Sequence, residues 1–196
     1  MKYIGRKLYH VTGGVGLLSL YYLVGREQAL IFYAMIFIAV LGLDSMRLAV
    51  PGMNGFVFAH FGSFIRRSEQ HRLTGTAFYV IGIGLSFLLY SHQVATTAVC
   101  FLIFGDVAAT AIGERYGRTK IGNKSMEGTL AFVVAALAAG GVLASLGLGT
   151  TTGVLVLGAL VAAGVELLML PVNDNLVIPI VSGGVMECLL HGISNP

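Results

Sequence analysis

The sequence predicts an all-α protein: a polytopic membrane helix bundle of about seven transmembrane helices, with one short interfacial or re-entrant segment. Of its 196 residues, 56% are hydrophobic and only 11% are charged, whereas soluble domains contain about 25% charged residues. Apolar runs of the ~20-residue length that crosses a bilayer recur along the chain. Because the bilayer replaces much of the core that a soluble protein needs, we expect residues 1–196 to form a single integral membrane domain.

The spanning helices are separated by loops that carry nearly all of the basic residues. We expect helices over 9–25, 28–44, 74–91, 94–113, 127–147, 150–170 and 176–192. With these boundaries, all of the 12 Lys and Arg residues except Arg26 fall before the first helix, in the second loop or in the fourth loop. The positive-inside rule therefore predicts that the N-terminus and these loops lie in the cytoplasm and the C-terminus outside.

Two features of the sequence limit the class of protein further. The N-terminal segment 1–25 resembles a signal peptide but lacks a small-residue cleavage site, so we expect it to be retained as a helix. The two cysteines, Cys100 and Cys188, lie inside apolar runs. A disulfide framework or a zinc site made of cysteines is therefore not expected.

A basic cluster, Arg6-Lys7-Leu8-Tyr9-His10, opens the first helix. Arg6 and His10 are four residues apart and share a helical face. They either anchor the helix to lipid headgroups by snorkelling or contribute to a functional site. Both interpretations stay open.

The second helix ends at Asp44, which we expect to pair with Arg47 at the membrane interface. Residues 53–65 form a segment too short to span the bilayer, so it is predicted to lie in the interface or to re-enter the membrane. The polar run 66–72 follows this segment. It is either a solvated loop or a surface on which Glu69 and Arg72 contact a polyanionic ligand.

The stretch 104–130 contains most of the candidate site residues. Its charged residues are Asp106, Glu114, Arg115, Arg118, Lys120, Lys124 and Glu127. A charge at mid-bilayer costs about 2.5 to 3.5 kcal/mol, so such residues are functional candidates. Glycines here, including Gly105 and Gly113, permit close approach of backbone to phosphate, and lysine and arginine supply the countercharge. Since Gly105, Ala109, Gly113 and Gly117 also recur every four residues, they predict a packing surface for another helix.

Asp106 and the start of the fifth helix are the central features of this stretch. A carboxylate at the position of Asp106 must be partnered by a cation, a metal or a hydrogen-bond donor if it is to stay ionised. The alternative is a structural pair with one arginine. Ser125 is predicted to cap the fifth helix, whose free N–H groups form an anion site beside Lys124.

The C-terminal third contains a second group of oxygen-rich residues. Glu166 lies in the sixth helix with no basic residue after it, so its partner must come from elsewhere in the bundle. Asn173, Asp174 and Asn175 lie between two prolines, and oxygen ligands of this kind suit Mg²⁺. The alternative interpretation is an Asx turn.

Together these motifs resemble the CTP-dependent lipid-alcohol kinases, which include dolichol kinase, phytol and farnesol kinase and the CTP-using diacylglycerol kinase. The resemblance runs from residue 6 to about 180 and rests on four motifs. They are Arg6-Lys7-x-x-His10; Glu69 with Gly75 and Tyr79; Gly105-Asp106-x-x-Ala109-x-x-x-Gly113-x-x-x-Gly117 with Lys124-Ser125-x-Glu127-Gly128; and Glu166 with Asp174-Asn175-Leu176 and Pro179. Dolichol kinases often have additional N-terminal spans, so this chain is more similar to phytol kinases and short prokaryotic members.

The resemblance implies transfer of the γ-phosphate of CTP to a lipid hydroxyl with a divalent metal, Mg²⁺. The implied acceptor is a polyprenol, dolichol or phytol-type alcohol in the bilayer, and no nucleic-acid partner is expected. The expected catalytic residues are Asp106, Asp174 and Lys124, and the expected metal ligands are Asp106, Glu127, Glu166 and Asp174. The expected nucleotide-binding residues are Arg72, Arg115, Arg118, Lys120, Lys124, Ser125, Gly105 and Gly113. Supporting roles are expected for Arg6, His10, Glu69, Asn173 and Asn175.

Two other functions compete with the kinase. A phosphatidate cytidylyltransferase also uses CTP and Mg²⁺ but releases pyrophosphate, and the Asp174-Asn175-Leu176 motif favours the kinase. A small ion-coupled transporter would place charges near mid-bilayer in inverted repeats, and no clear repeat is present. Since there is no Gly-x-x-x-x-Gly-Lys-Ser/Thr motif, a P-loop is not expected. The identity of the alcohol and the oligomeric state, including a homo-oligomer, stay open.

Overall fold

The computed structural model describes residues 4–168 and 170–194, and in this part the chain is helical apart from one small hairpin and the connecting turns. The all-α prediction is therefore confirmed. Lys2, one of the basic residues predicted to lie before the first helix, is outside the described residues. The helices are α1 (Ile4–Val24), α2 (Arg26–Ala49), α3 (Met53–Phe61), α4 (Gly75–Leu89), α5 (His92–Cys100), α6 (Asp106–Tyr116), α7 (Met126–Ser145), α8 (Thr152–Leu167) and α9 (Asp174–Ser194). The hairpin strands are β1 (Lys120–Ile121) and β2 (Lys124–Ser125).

Each of the seven predicted apolar segments forms a helix, but the structure does not support seven spans. In the described part of the chain, four helical segments are long and apolar enough to cross a membrane: Arg26–Ala49, His92–Tyr116, Met126–Ser145 and Asp174–Gly192. Helices α4 and α8 are apolar but have only 15 and 16 residues. At a rise of 1.5 Å per residue they are about 22 to 24 Å long, which is shorter than the hydrocarbon core of a bilayer, about 30 Å. Helix α1 begins at Ile4 and not at the predicted residue 9. It therefore includes Arg6 and Lys7, which the predicted boundary left outside the helix.

The chain divides into two compact units, Met1–Gly84 and Leu85–Pro196. In the first unit, α1 packs on α2 and α2 packs on α3. The hydroxyl of the buried Tyr33 donates to the Leu17 carbonyl at 2.7 Å. Helix α3 has no buried residue, so its predicted interfacial position remains a prediction.

The second unit is a bundle built around one long helix. Helix α5, a π-helical turn (Phe101–Gly105) and α6 form the continuous helix His92–Tyr116, whose middle is buried. Helix α6 packs on α7, α7 on α8, α8 on α9, and α9 on α5. The fully buried Phe101, Phe132 and Met186 lie in this core.

The glycines of the α6–α7 contact allow close approach of the two helices. A Cβ at Gly105 would lie 2.7 Å from the ring of Phe132, and a Cβ at Gly128 would lie 2.8 Å from the carbonyl oxygen of Ala109. The Phe132 ring therefore packs directly on Gly105 and the two backbones approach each other at Gly128, so the packing surface predicted for the small residues is present.

The two ends of this bundle carry different polar groups. At one end, the hairpin residue Lys124 contacts Glu166 near the end of α8 and Asp174 at the start of α9. Some 20 Å further along α9, given a rise of 1.5 Å per residue, Glu187 accepts hydrogen bonds from the backbone N–H and the hydroxyl of Ser91. Within this unit, Lys124, Glu166 and Asp174 thus lie together at the end opposite Glu187.

Candidate active site

A tight hairpin places Lys124 in the candidate site. Strands β1 and β2 pair antiparallel, with Ile121 opposite Lys124. Gly122 has a φ of 55°, in the left-handed region that glycine adopts without penalty. The Nζ atom of Lys124 donates hydrogen bonds to Glu166 Oε1 and, at 3.0 Å, to Asp174 Oδ2. The hairpin therefore brings one ammonium group between two carboxylates from different helices.

The charges of this cluster stabilise one another. The Glu166 side chain is only 4% exposed, while those of Lys124 and Asp174 are 23% and 22% exposed. Burial alone would lower the pKa of Lys124, but the carboxylates of Asp174 and Glu166 outweigh this effect and raise the pKa above its ordinary value of 10.5. Lys124 is therefore a fixed positive charge at neutral pH and not a proton acceptor. It is also the partner of Glu166 that the sequence could not identify.

Asp106 is buried in the same bundle but has no such partner. It is the first residue of α6, directly after the π-helical turn, and it is 9% exposed. Within the described residues, its carboxylate makes no hydrogen bond or ion pair, although it does act electrostatically on Glu166. The alternative of a structural pair between Asp106 and an arginine is therefore wrong for this part of the chain. Single-turn π bulges occur often at functional sites.

The residues before α9 form the Asx turn, one of the two interpretations that the sequence left open, while the metal-binding interpretation stays a prediction. The Asn173 side-chain carbonyl accepts a hydrogen bond from the backbone N–H of Asn175 at 3.0 Å, which forms the Asx turn. The Asn173 backbone carbonyl accepts from the N–H groups of Leu176 and Val177. Helix α9 consequently begins at Asp174, earlier than predicted, and this turn leaves the Asp174 carboxylate available to Lys124.

Three predicted ligand residues serve local structure around the hairpin. Ser125 caps α7 as predicted, since its buried hydroxyl accepts from the N–H of Gly128 at 3.1 Å. The half-buried Glu127 accepts from the N–H of Thr119 at 3.0 Å. Lys120 Nζ donates to the Gly113 carbonyl at 3.3 Å, at the end of α6. These polar groups hold the hairpin against α6 and α7.

The remaining candidates in the second unit are packing glycines and exposed cations. A Cβ at Gly113 would lie 3.0 Å from the hydroxyl of Ser125, so Gly113, like Gly105, is a helix-packing position. The Arg115 guanidinium lies 5.2 Å from the ring centroid of Tyr116. Arg115, Arg118 and Lys120 are all exposed near the hairpin, and their nucleotide-binding role stays a prediction.

The candidates of the first unit have local partners. Glu69 accepts hydrogen bonds from the N–H groups of Arg66 and Gly75, both at 3.2 Å, which links two residues of one predicted motif. The His10 ring lies 4.2 Å from the ring of Tyr79, whose hydroxyl donates to the His10 carbonyl at 2.8 Å. Arg6 is partly exposed in the first turns of α1, and Arg72 is exposed.

The donor set of the second unit fits a divalent cation. No group of three or more His, Cys, Asp or Glu side chains is assembled for a metal within the described residues. However, Glu166 and Asp174 already hold a common cation, the ammonium of Lys124. Mg²⁺ usually takes only one or two carboxylates and completes its shell with water and phosphate. Glu166 and Asp174 would therefore suffice, with water and phosphate, for a Mg²⁺ that arrives with a nucleotide.

Sequence reasoning missed one polar network in the first unit. It expected Asp44 to pair with Arg47, and this pair is present. It did not expect the pair to be buried or to bind the loop that ends at Thr74. The available signal was an Asp and an Arg one turn apart at a helix end before a long polar loop.

Several known proteins are similar to this chain. It is 35% identical over 156 residues to the phytol kinase of Synechocystis sp., which covers 68% of this chain and 67% of that relative. It is 32% identical over 134 residues to CTP-dependent diacylglycerol kinase 1 of Saccharomyces cerevisiae, which covers 65% of this chain and 46% of the relative. A protein of Rickettsia prowazekii without a described function is 28% identical over 182 residues, 89% of this chain and 88% of that protein.

The chain thus spans less than half the length of the Saccharomyces diacylglycerol kinase that it matches. No protein-family model matches it. No solved structure matches it either.

Proposed function

We propose that this chain, which belongs to the CTP-dependent lipid kinase family, transfers the γ-phosphate of CTP to the hydroxyl of a membrane lipid alcohol at the cytoplasmic face. The acceptor is an isoprenoid alcohol of the polyprenol, dolichol or phytol type. The observation that carries the proposal is the pairing of Lys124 with Glu166 and Asp174 beside the buried, unpartnered Asp106.

This arrangement suits the chemistry of phosphoryl transfer. The reaction depends mainly on positioning and on neutralising the charge of the phosphates. The lipid oxygen attacks the γ-phosphorus, the bond from that phosphorus to the β–γ bridging oxygen breaks, and CDP leaves. A buried carboxylate without a hydrogen-bond donor is available to take the proton of the attacking hydroxyl, and Asp106 is assigned this role.

Each member of the Lys124 cluster has a role in the proposal. A Mg²⁺ held by Glu166 and Asp174 would neutralise charge on the β- and γ-phosphates. Lys124, protonated at neutral pH because its pKa is raised, supplies a further positive charge. Arg115, Arg118 and Lys120 are exposed at the same end of the bundle, and in this proposal they bind phosphate oxygens of CTP.

Diacylglycerol is the second candidate acceptor. The basis is the name of the Saccharomyces relative, a CTP-dependent diacylglycerol kinase, whereas the Synechocystis relative is named a phytol kinase. Both acceptors present a primary hydroxyl on an apolar body, so the same phosphoryl-transfer site serves either.

The test is an acceptor screen with purified protein in neutral detergent micelles. CTP labelled at the γ-phosphate is supplied with Mg²⁺ and, in turn, phytol, farnesol, a polyprenol, dolichol or diacylglycerol. We expect label in the lipid extract with at least one isoprenoid alcohol and poor transfer from ATP. Transfer to diacylglycerol alone would overturn the isoprenoid assignment, and transfer to none of the acceptors would overturn the kinase activity.

A further inference from the structure

In the second unit, one ammonium group is shared by two carboxylates. Lys124 Nζ donates to Glu166 Oε1 and, at 3.0 Å, to Asp174 Oδ2, and both contacts are ion pairs. Within the described residues, no second cation pairs with either carboxylate. The positive charge of Lys124 is therefore the one on which both carboxylates depend in this part of the chain.

The cluster is open to solvent on one side only. The side chains of Lys124 and Asp174 are 23% and 22% exposed, whereas that of Glu166 is 4% exposed. The three residues come from a hairpin strand, the start of α9 and the end of α8. A phosphate group that arrives from solvent can therefore contact Lys124, while Glu166 is shielded from it.

The ammonium of Lys124 competes with a divalent cation for the same carboxylates. Glu166 and Asp174 are the two residues that would hold a Mg²⁺, and both are already paired with Lys124. A second cation at these carboxylates would be repelled by the ammonium, and a partly buried site screens this repulsion less than water does. Either cation can satisfy the carboxylates alone, but the two together are disfavoured.

A nucleotide would give Lys124 another partner. A lysine side chain is a point charge on a flexible four-carbon stem, and its ammonium forms charge-assisted hydrogen bonds with phosphate as well as with carboxylate. When the ammonium turns to a phosphate group, the oxygens of Glu166 and Asp174 become free to bind a metal. Binding of phosphate and binding of metal would thus favour each other.

We propose that Lys124 keeps a divalent cation away from Glu166 and Asp174 until CTP arrives, so that the metal and the nucleotide bind together. This inference rests on the proposed function, in which CTP is the phosphate donor and a divalent metal accompanies it. It gives Lys124 a second role, because the lysine then couples the two ligands as well as contacting phosphate. Coupling of this kind is reciprocal, so each ligand raises the affinity for the other by the same factor.

The first test measures Mn²⁺ binding without nucleotide, from the loss of the free-ion EPR signal in neutral detergent micelles. Lys124→Met removes the ammonium and keeps an unbranched side chain. We expect its Kd for Mn²⁺ to be at least about tenfold lower than that of wild type, because the competing charge is gone. Lys124→Gln, which is also neutral but can hydrogen-bond to a carboxylate, serves as the second variant if the apolar side chain prevents folding.

Lys120→Gln is the matched control for the loss of one positive charge. Lys120 lies on the same hairpin, but it is exposed and donates to the Gly113 carbonyl instead of a carboxylate. Since an exposed charge is screened by salt, the Kd of Lys120→Gln for Mn²⁺ should stay within about twofold of wild type.

Two measurements locate the gained site without catalysis. Adding Asp174→Asn to Lys124→Met should remove the gain in Mn²⁺ affinity, because one of the two carboxylates is lost. At a Mn²⁺ concentration below the wild-type Kd, the metal should raise the thermal unfolding temperature of Lys124→Met and leave that of wild type unchanged. The reason is that a ligand that binds only the folded state stabilises it.

The second test measures the coupling with labelled β,γ-methylene CTP, an analogue that cannot donate its γ-phosphate. Its Kd is determined by equilibrium dialysis with Mn²⁺ and with EDTA, and the ratio of the two constants reports the coupling. We expect this ratio to be at least about fivefold smaller in Lys124→Met than in wild type, because the variant binds the metal without waiting for the nucleotide.

Several results would overturn the proposal. They are equal Mn²⁺ affinity in wild type and Lys124→Met, an equal gain in Lys120→Gln, a gain that survives Asp174→Asn, and an unchanged coupling ratio. The first would show that the metal binds with Lys124 in place. Wild-type protein that gives the expected metal and nucleotide results but phosphorylates no alcohol would contradict the proposed kinase, whereas the role of Lys124 would stand.

Discussion

Three buried carboxylates, Asp44, Asp106 and Glu166, and the half-buried Glu187 differ in whether their charge is already satisfied. Asp44 is paired with Arg47, Glu166 with Lys124, and Glu187 with the N–H and hydroxyl of Ser91. Asp106 alone among these four has no hydrogen bond or ion pair to the described residues. A carboxylate without a partner in the protein is available to a proton or a cation, which is why Asp106 is the residue on which we expect the chemistry to depend.

The substitution Asp106→Asn tests this assignment against Glu187→Gln. The amide keeps the size of the side chain but removes the charge that a base or a metal ligand needs. We expect kcat to fall by about 10²-fold or more, as for loss of an acid–base group. Glu187→Gln should reduce kcat by less than about tenfold, because Glu187 lies at the other end of the bundle and its loss affects only structural hydrogen bonds.

Both variants are to be purified from membranes and compared with wild type at saturating CTP and acceptor. Equal thermal unfolding of wild type and Asp106→Asn serves as the control for folding. Near-normal turnover in a folded Asp106→Asn protein would leave this carboxylate without a chemical role.

The charged residues of the Lys124 cluster could be singled out from the sequence, but their contacts could not. Lys124 was singled out as a charge in an apolar chain, and Asp174 as part of an oxygen-rich group suited to Mg²⁺. The pairing of Lys124 with Glu166 joins residues 42 positions apart, and no local pattern encodes such a contact. The cap formed by Ser125 was predictable, because it depends on residues only three positions apart.

At the scale of the helices, the long segment His92–Tyr116 carries Asp106. Its π-helical turn at Phe101–Gly105 ends directly before Asp106. The apolar sequence of this turn has no feature that distinguishes it from an ordinary helix, so sequence reasoning missed it. The crossing of α6 and α7, by contrast, was predictable from the spacing of small residues.

The α6–α7 crossing yields a prediction about stability. A Cβ at Gly128 would lie 2.8 Å from the Ala109 carbonyl oxygen, whereas nothing lies within 4 Å of a Cβ at Gly141 on the same helix. We expect Gly128→Ala to cost about 1 to 3 kcal/mol of the free energy of unfolding, because it forces two backbones apart. Gly141→Ala should be neutral or stabilising by up to about 1 kcal/mol, since alanine favours the helix.

Thermal unfolding of both variants in the same detergent measures the difference. If Gly128→Ala unfolds at the same temperature as Gly141→Ala, the close approach of α6 and α7 is not as described.

At the scale of the whole molecule, the positions of the helices were more predictable than their number of membrane crossings. Apolar runs identified the seven helices, but a run does not reveal that α4 and α8 end after 15 and 16 residues. Within the second unit, the Lys124 cluster and Glu187 lie at opposite ends of the bundle. The side of the membrane on which each end lies stays a prediction from the placement of the basic residues.

The position of the transferred label tests the central claim, γ-phosphate transfer from CTP to a lipid, most directly. Purified protein is incubated with Mg²⁺, the preferred lipid alcohol and CTP labelled either at the γ-phosphate or at the α-phosphate, with Asp106→Asn as the inactive control. A kinase cleaves between the β- and γ-phosphates, so we predict that γ-label enters the lipid, that α-label stays in CDP, and that Asp106→Asn transfers neither. Entry of α-label into the lipid with release of pyrophosphate would identify a cytidylyltransferase and contradict this account.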